Sequence, residues 1–445
     1  MVAMLRLAGA MVILDCVITF GWRILSVVTG QRLNTHSSRT LALMAEFSAL
    51  VDGSTAIGRH QLFARLRAEL PVFHSERLDA WVVSRYNDVR TVLSDDSMFR
   101  PPQSGVGASP FGRSFMQMSG REHSKKVGIV AREMRTLRAM RERLSGMVSD
   151  IARDQAAALP MGEVLDLRER YAVWVPLLAV TALTDLPEAA RFRDWYRTIV
   201  AGGSASITNP HAREAAFRAR EEVRAFVEPI IAARRIKPGP DLLSDLVQAE
   251  YDGEPIPHEE IVSNIIFLLA AGVETTERVL TSLLRHVALD PAEWHWLKAN
   301  YRDPEALSAF CAEGLRVYPP VSANIRTALQ PVTLAGVQIG AGDKVVALSV
   351  SGNYDEHKFA NPTRFDHGRF LGASERQFTS GGEILSFGDG LHHCVGSRLA
   401  KLEMAHALSA LLDRVGRIEL VEPPPASEGF VFHSPPALPV RLHPG

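Results

Sequence analysis

Cysteine is scarce: 445 residues hold three, at Cys16, Cys311 and Cys394. An odd number so widely spread argues against a disulfide framework and fits a reducing compartment, and three sulfurs cannot supply the four thiolates of an iron–sulfur cluster. Net charge is nearly absent too. Forty-nine basic side chains against 50 acidic ones give a formal charge of -1, with no footprint for nucleic acid or a strongly charged partner. Long apolar runs are missing: in MVAMLRLAGAMVILDCVITFGWRILSVVTG, Arg6, Asp15 and Arg23 interrupt the sequence before the ~20 residues a spanning helix needs. Asp15 also breaks the apolar centre of a secretory signal, and with Arg6 on the opposite side the segment has no clean amphipathic face. Residues 1–43 are therefore read as an apolar leader, or an extension upstream of a natural start at Met44. Membrane association is not expected, with residues 1–30 the one place it stays open. No internal repeat and no Gly/Ser linker divides the chain, and GVGASP lacks the third glycine of a dinucleotide fingerprint.

What is present is ordinary globular composition, 46% apolar and 22% charged, in a chain long enough to bury a large core. Apolar residues return every three or four positions in GRHQLFARLRAEL, MRTLRAMRERLSGMVSDIARDQAAAL and HAREAAFRAREEVRAFVEPIIAARR, which predicts helices. Strand patterns are few: WVVSR, ALQPVTLAGVQIGAGDKVVALSV and PALPVRL. Stretches 99–112, 201–210 and 421–429 read as surface loops or lids. The expected fold is a single large domain over 44–445, mainly α with small β-sheets (α+β).

In SFGDGLHHCVGSRLAKLE (386–403), glycines at 388, 390 and 396 let the backbone bend and admit a flat ligand. Leu399, Leu402, Ala405 and Leu408 then recur at helical spacing, so Cys394 lies at a helix N-terminus, whose backbone donors and dipole favour a thiolate. Four readings compete: an inert buried cysteine, a zinc ligand with no recognisable fourth partner, a nucleophile with an unmarked activating histidine, and a haem-iron thiolate. A second segment, PHEEIVSNIIFLLAAGVETTERVLTSLLRHVAL, is apolar on every side between Ile265 and Gly272 and predicts a long helix through the core. At its centre Ala271 and Gly272 remove bulk, while Glu274 and Thr275 place an acid beside a hydroxyl. The plain alternatives are that Thr275 bonds back to the Ala271 carbonyl and Glu274 serves a structural ion pair.

The cysteine loop resembles the signature FGxGxHxCxGxxLAxxE of the cytochrome P450 superfamily at Phe387, Gly388, Gly390, His392, Cys394, Gly396, Leu399, Ala400 and Glu403. AGVETT is similar to the family's (A/G)Gx(D/E)T. The resemblance implies the P450 fold with its long central helix, haem b with Cys394 as iron ligand, and O2 as co-substrate. It implies that Phe387, with Gly388 and Gly396, shapes the loop at the sulfur, and that His392, His123 and Arg326 meet the haem propionates. Thr275 and Glu274 would deliver protons. Glu313 and Arg316 in DPEALSAFCAEGLRVYPP, with Arg364 in NPTRFDHGRF, match the ExxR and PxRF elements and imply a buried charged triad. In SGREHSKKVG the chain departs from the family's HxxxR, since Val127 stands where Arg is expected. Lys125, Lys126, Arg132 and Arg135 read as a solvated basic face or, more sharply, a docking patch for a redox partner.

The expected pocket wall includes Ala271, Gly272, Val321, Ser322, Asn324 and Phe432, a mix suited to a mid-sized, mainly hydrophobic substrate. With no reductase fused, electrons would come from NAD(P)H through a reductase and a separate ferredoxin or flavodoxin. The function so implied is hydroxylation or epoxidation in secondary metabolism by a cytoplasmic monomer that binds no nucleic acid. The alternatives are a peroxide-dependent oxidase and a non-catalytic haem-thiolate sensor.

Overall fold

The computed structural model describes residues 37–54, 58–103, 109–204 and 210–445. They fall into two units, Met1–Ala45 and Glu46–Gly445. In the first, described from residue 37, the Ser37 hydroxyl accepts from the Thr40 amide at 3.2 Å and starts a helical turn. The leader expected over 1–43 lies, through residue 36, outside the described residues.

Helix dominates the second unit. Helix α1 (Gly120–Arg135) buries His123, Lys126, Val130 and Met134, which share one side at spacings of three and four. Helix α2 (Trp174–Thr184) is apolar on nearly every side and correspondingly buried. Helices α3 (Ala189–Ser204) and α4 (Pro210–Ile236) pack on each other. The long helix α5 (His258–Leu289) starts after Pro257 with Glu259 and Glu260 in its first turn, where acids suit the dipole. Helix α6 (Pro304–Val317) is capped by Asp303, whose carboxylate accepts from the Glu305 amide at 2.9 Å. Helix α7 (Ser397–Arg414) follows the cysteine loop.

Among the described residues, twelve short strands complete the unit. β1 (Val72–Ser75), β2 (Ala80–Val83), β3 (Phe99–Arg100), β7 (Asn324–Ala328) and β10 (Lys344–Ala347) form a sheet in the order β1-β2-β10-β7-β3. In it only β2 and β10 run parallel, and Arg326 on β7 stands opposite Val345 on β10. β4 (Val164–Asp166), β11 (Val415–Leu420) and β12 (Pro439–Pro444) form a second sheet in the order β11-β12-β4. Two hairpins, β5 (Glu250–Tyr251) with β6 (Glu254–Pro255) and β8 (Val332–Leu334) with β9 (Val337–Ile339), stand apart. The strands expected at WVVSR, 328–350 and PALPVRL are all present. The helix expected without a break over 134–159 is interrupted. Thr136 is extended at ψ 138 and its hydroxyl accepts from the Ala139 amide at 3.3 Å, and a wide turn at Met140–Leu144 precedes the helix Ser145–Ala157.

Two apolar clusters meet along α5. Its C-terminal half contributes Val279, Leu280 and Leu283 to a core shared with Phe310 and Leu315 of α6 and Met404 and Leu408 of α7. Its N-terminal half packs Ile265 and Leu269 with Leu177, Tyr196, Ile199 and Val223 of α2, α3 and α4. The centre of α5, where Ala271, Gly272, Thr275 and Arg278 form a half-buried stripe, lies between the two.

Candidate active site

The cysteine loop is held at both ends. The Cys394 amide donates to the Phe387 carbonyl at 2.8 Å, and the Ser397 hydroxyl donates to the Phe378 carbonyl at 2.9 Å. Between them, Gly388 adopts φ 69 and ψ -166, a conformation open essentially to glycine alone. Gly390, at φ 65, is excluded from carrying a side chain for a second reason: a Cβ there would lie 2.6 Å from the Ser94 Cα. Burial pushes the Cys394 thiol up, while the backbone amides of Gly396 and Ser397 and the charge of Arg135 favour its thiolate. Phe387 is buried beside Phe378, with ring centroids 5.8 Å apart.

Three donors converge beside this loop. The rings of His123 on α1 and His392 lie 4.1 Å apart, and His123 Nδ1 and His392 Nε2 are buried without a partner. Burial, then the charges of Arg135 and Arg326, lowers His123 to about 4. Burial, then His123 and Arg326, lowers His392 to about 3. Arg326 itself is brought down to about 10 by burial, with Asp96 opposing. Buried ring nitrogens without partners beside a desolvated guanidinium form a site that favours an anion. A sulfur at a helix N-terminus, a glycine-shaped loop and a buried anion cradle together fit a haem carrying two propionates.

On α5, the Thr275 hydroxyl donates to the Ala271 carbonyl at 2.8 Å. Glu274 is buried and accepts from Arg278 Nε at 2.6 Å. Arg278 also donates to the Ser434 hydroxyl at 2.8 Å and lies 5.4 Å from the Phe432 ring centroid. The two plain alternatives for Thr275 and Glu274 thus describe their contacts. Ala271 and Gly272 adjoin them, but the missing Cβ of Gly272 points at Val180 of α2, which it would meet at 2.7 Å, so close helix packing is what requires glycine there. Val321 bridges to Phe432, and the Ser322 amide donates to the Val431 carbonyl at 2.8 Å. Asn324 donates to Ser349 at 3.1 Å, whereas the buried Ser322 hydroxyl has no partner. Residues 104–108 and 205–209, in two of the three stretches expected as loops or lids, lie outside the described residues.

The charged triad differs from expectation in one member. Glu313 and Arg316, both 0% exposed, pair through two bonds of 2.8 and 2.7 Å. The second arginine on Glu313 is Arg369, whose Nε lies 3.1 and 3.2 Å from its two oxygens. Arg364 is exposed and contributes only its carbonyl, which accepts from Arg316 at 3.1 Å. NPTRFDHGRF holds two Arg–Phe pairs, and the turn between them, closed by the Asp366 amide donating to Glu313 at 2.9 Å, aims the second inward.

The basic face also needs correction. Lys126 is buried and donates to Glu122 at 2.8 Å and to Glu260 of α5 at 2.5 Å, and Arg132 pairs with Asp245 at 2.8 Å. Of the four cations named, Lys125 and Arg132 stay exposed, Arg135 is half-buried and Lys126 is buried.

Of two further buried carboxylates, Glu277 carries no mark in the sequence and Glu403 stands out there only as the last position of the signature. Glu277 accepts from Arg168 at 2.7 Å, Arg197 at 3.2 Å and the Tyr196 hydroxyl at 2.5 Å, tying α5 to α3. Glu403 of α7 accepts from Thr276 at 2.9 Å, its other oxygen has no partner, and burial pushes its pKa up to about 8.

The Cytochrome P450 family model matches residues 303–439. The chain is 32% identical over 381 residues to the erythromycin C-12 hydroxylase of Saccharopolyspora erythraea, covering 84% of this chain and 89% of that one. To the nocardicin C N-oxygenase of Nocardia uniformis subsp. tsuyamanensis it is 32% identical over 406 residues, 86% and 96% of the two chains. Among solved structures, a mutant of P450 EryK in complex with erythromycin B superposes with a TM-score of 0.76 at 30% identity, covering 90% of this chain and 97% of that one. No single helix among the described residues is long and apolar enough to cross a membrane. Motif, fold and relatives agree, and the chain belongs to the cytochrome P450 family as one of its monooxygenases.

Proposed function

We propose that this P450 hydroxylates or epoxidises a mid-sized, mainly hydrophobic molecule of secondary metabolism in the cytoplasm. Its electrons would come from NAD(P)H through a reductase and a ferredoxin or flavodoxin. The observation that carries the reading is the buried donor cluster beside a helix-start cysteine, in which ring nitrogens of His123 and His392 have no partner and the desolvated Arg326 stands close by. Relatives named for erythromycin C-12 hydroxylation and for epoxidation of cyclomarin C support the chemistry and the substrate class.

Cys394 would hold the iron of haem b, and His123, His392 and Arg326 would hold its propionates. Bound haem supplies O2 activation and transfer of one oxygen atom to a C–H bond or alkene. Phe387 screens the sulfur, and the triad of Glu313, Arg316 and Arg369 braces the polypeptide behind it. Thr275 has its hydroxyl proton committed to the Ala271 carbonyl, which leaves its lone pairs free to accept. Glu274 is the acid that resupplies a proton, and Arg278 must release it first.

That prior engagement is also the one observation that favours a peroxide-driven variant. Both readings are separated by turnover. Haem-replete protein is screened for Soret shifts against a compound library, and each hit is assayed with NADH plus surrogate ferredoxin and reductase, and separately with peroxide. Product coupled to NADH consumption supports the proposal; product from peroxide alone overturns it in favour of the variant. No red-shifted band after reduction and carbon monoxide treatment, or an unchanged band in Cys394→Ser, removes the thiolate reading.

A further inference from the structure

Helix α1 departs from its family at Val127, which packs as a partly buried apolar residue against the cluster holding Met134 and Leu399. The helix does not lack a cation near the site. Arg135, eight residues and so about two turns further on, reaches across from its last turn and donates to the carbonyl of His393, the residue before Cys394. That contact fixes the peptide whose N–H, on Cys394, donates to Phe387 at 2.8 Å. It also brings a full positive charge into the field of the sulfur, where the other titratable group is Glu403 of α7. Arg398 repels Arg135 from the α7 side, and burial pulls Arg135's pKa down while Cys394 pushes it back up.

Resting on the proposal that Cys394 is the iron ligand, we infer that Arg135 is a positioning residue for that sulfur, a fixed counter-charge that lowers its electron donation and raises the reduction potential of the bound haem. The direction follows from electrostatics. Adding an electron beside a thiolate concentrates negative charge, and a fixed cation stabilises the reduced state more than the oxidised one; half-burial keeps much of that effect from being screened. With Val127 apolar, the cation this helix brings to the cysteine loop is Arg135, whose charge is felt by His123 as well as by the sulfur.

The test uses full-length, haem-loaded protein without substrate, in wild type, Arg135→Gln, Arg135→Lys and the exposed control Lys125→Gln. Midpoints are read by anaerobic dithionite titration with mediator dyes, and the ferric iron–sulfur stretch by resonance Raman. R135Q is expected to shift the midpoint to more negative values and the stretch to higher frequency; R135K stays near wild type, and K125Q matches it. An unchanged midpoint in R135Q with its thiolate band intact overturns the inference, and so does a fallen midpoint with an unmoved stretch, which would place the charge on the propionates. Should R135Q fail to retain haem, R135K decides: a midpoint near wild type supports the charge, and one displaced as far as loss of charge requires, below K125Q, overturns it. Absence of the thiolate band in wild type would instead sink the earlier reading of Cys394.

Discussion

Glu403 offers a test in which sign and size both come from the structure. It is 1% exposed, accepts one bond from Thr276, and is raised by burial to about 8 from an ordinary value of 4.5. Between those pH values the folded protein holds a proton that the unfolded chain has released, so stability is complete below about pH 4.5 and is lost progressively as pH rises to about 8. Each unit corresponds to about 1.4 kcal/mol, so the interval from pH 5 to 8 is worth ~4 kcal/mol. Glu403→Gln keeps the shape and an acceptor for Thr276 but carries no proton to lose, and its advantage over wild type should grow by that amount across the interval. At about 2.1 cal/mol/K of unfolding entropy per residue, 445 residues give ~0.9 kcal/mol/K, so the gap in melting temperature should widen by about 4 °C. Thermal unfolding of both haem-loaded proteins, followed by circular dichroism in matched buffers from pH 5 to 8, measures it. A constant offset between the two across that range would refute the reasoning, because a packing difference does not depend on pH.

The triad predicts a contrast between two neighbouring arginines: Arg369→Ala should cost about 3 kcal/mol by leaving buried Glu313 short of a partner, whereas Arg364→Ala should stay within about 0.5 kcal/mol, in urea denaturation. Gly390→Ala forces a Cβ into the Ser94 backbone at a positive φ and should lose about 1–3 kcal/mol together with haem retention, read from the ratio of Soret to protein absorbance. Thr275→Ala should leave the carbon monoxide spectrum unchanged and lower product formation about 100-fold, with NADH consumption diverted to peroxide, measured by product and peroxide assays in parallel.

Those contrasts mark where the sequence was legible. The cysteine loop could be read because its determinants are local: glycines with required φ values, a sulfur and a helix start lie within a dozen residues. Helix α5 was equally plain, since burial on all sides leaves an unbroken apolar pattern that no surface helix shares. Arg369 was hidden because PTRFDHGRF offers two equivalent Arg–Phe pairs, and which one turns inward depends on a bond from the Asp366 amide to Glu313, 53 residues earlier. Lys126 was hidden for the same kind of reason. A lysine on an amphipathic helix reads as solvated, and its partner Glu260 lies 134 residues away.

Helix α1 shows what such distant pairing accomplishes. Its Lys126 and the Glu260 of α5 are joined where α5 begins, so the helix carrying His123 is anchored to the helix carrying Thr275. His123 is therefore fixed relative to α5 by a buried ion pair, while Arg135 at the other end of the same helix is fixed to the cysteine loop through the His393 carbonyl. A buried pair of this sort contributes little net stability, because desolvation offsets most of the Coulomb attraction, but it penalises any shift of α1 that would part the buried Lys126 from Glu260, which Arg113 also holds. One helix thereby sets the distance between the anion cradle and the sulfur, and it does so with side chains whose pairing no local pattern announces.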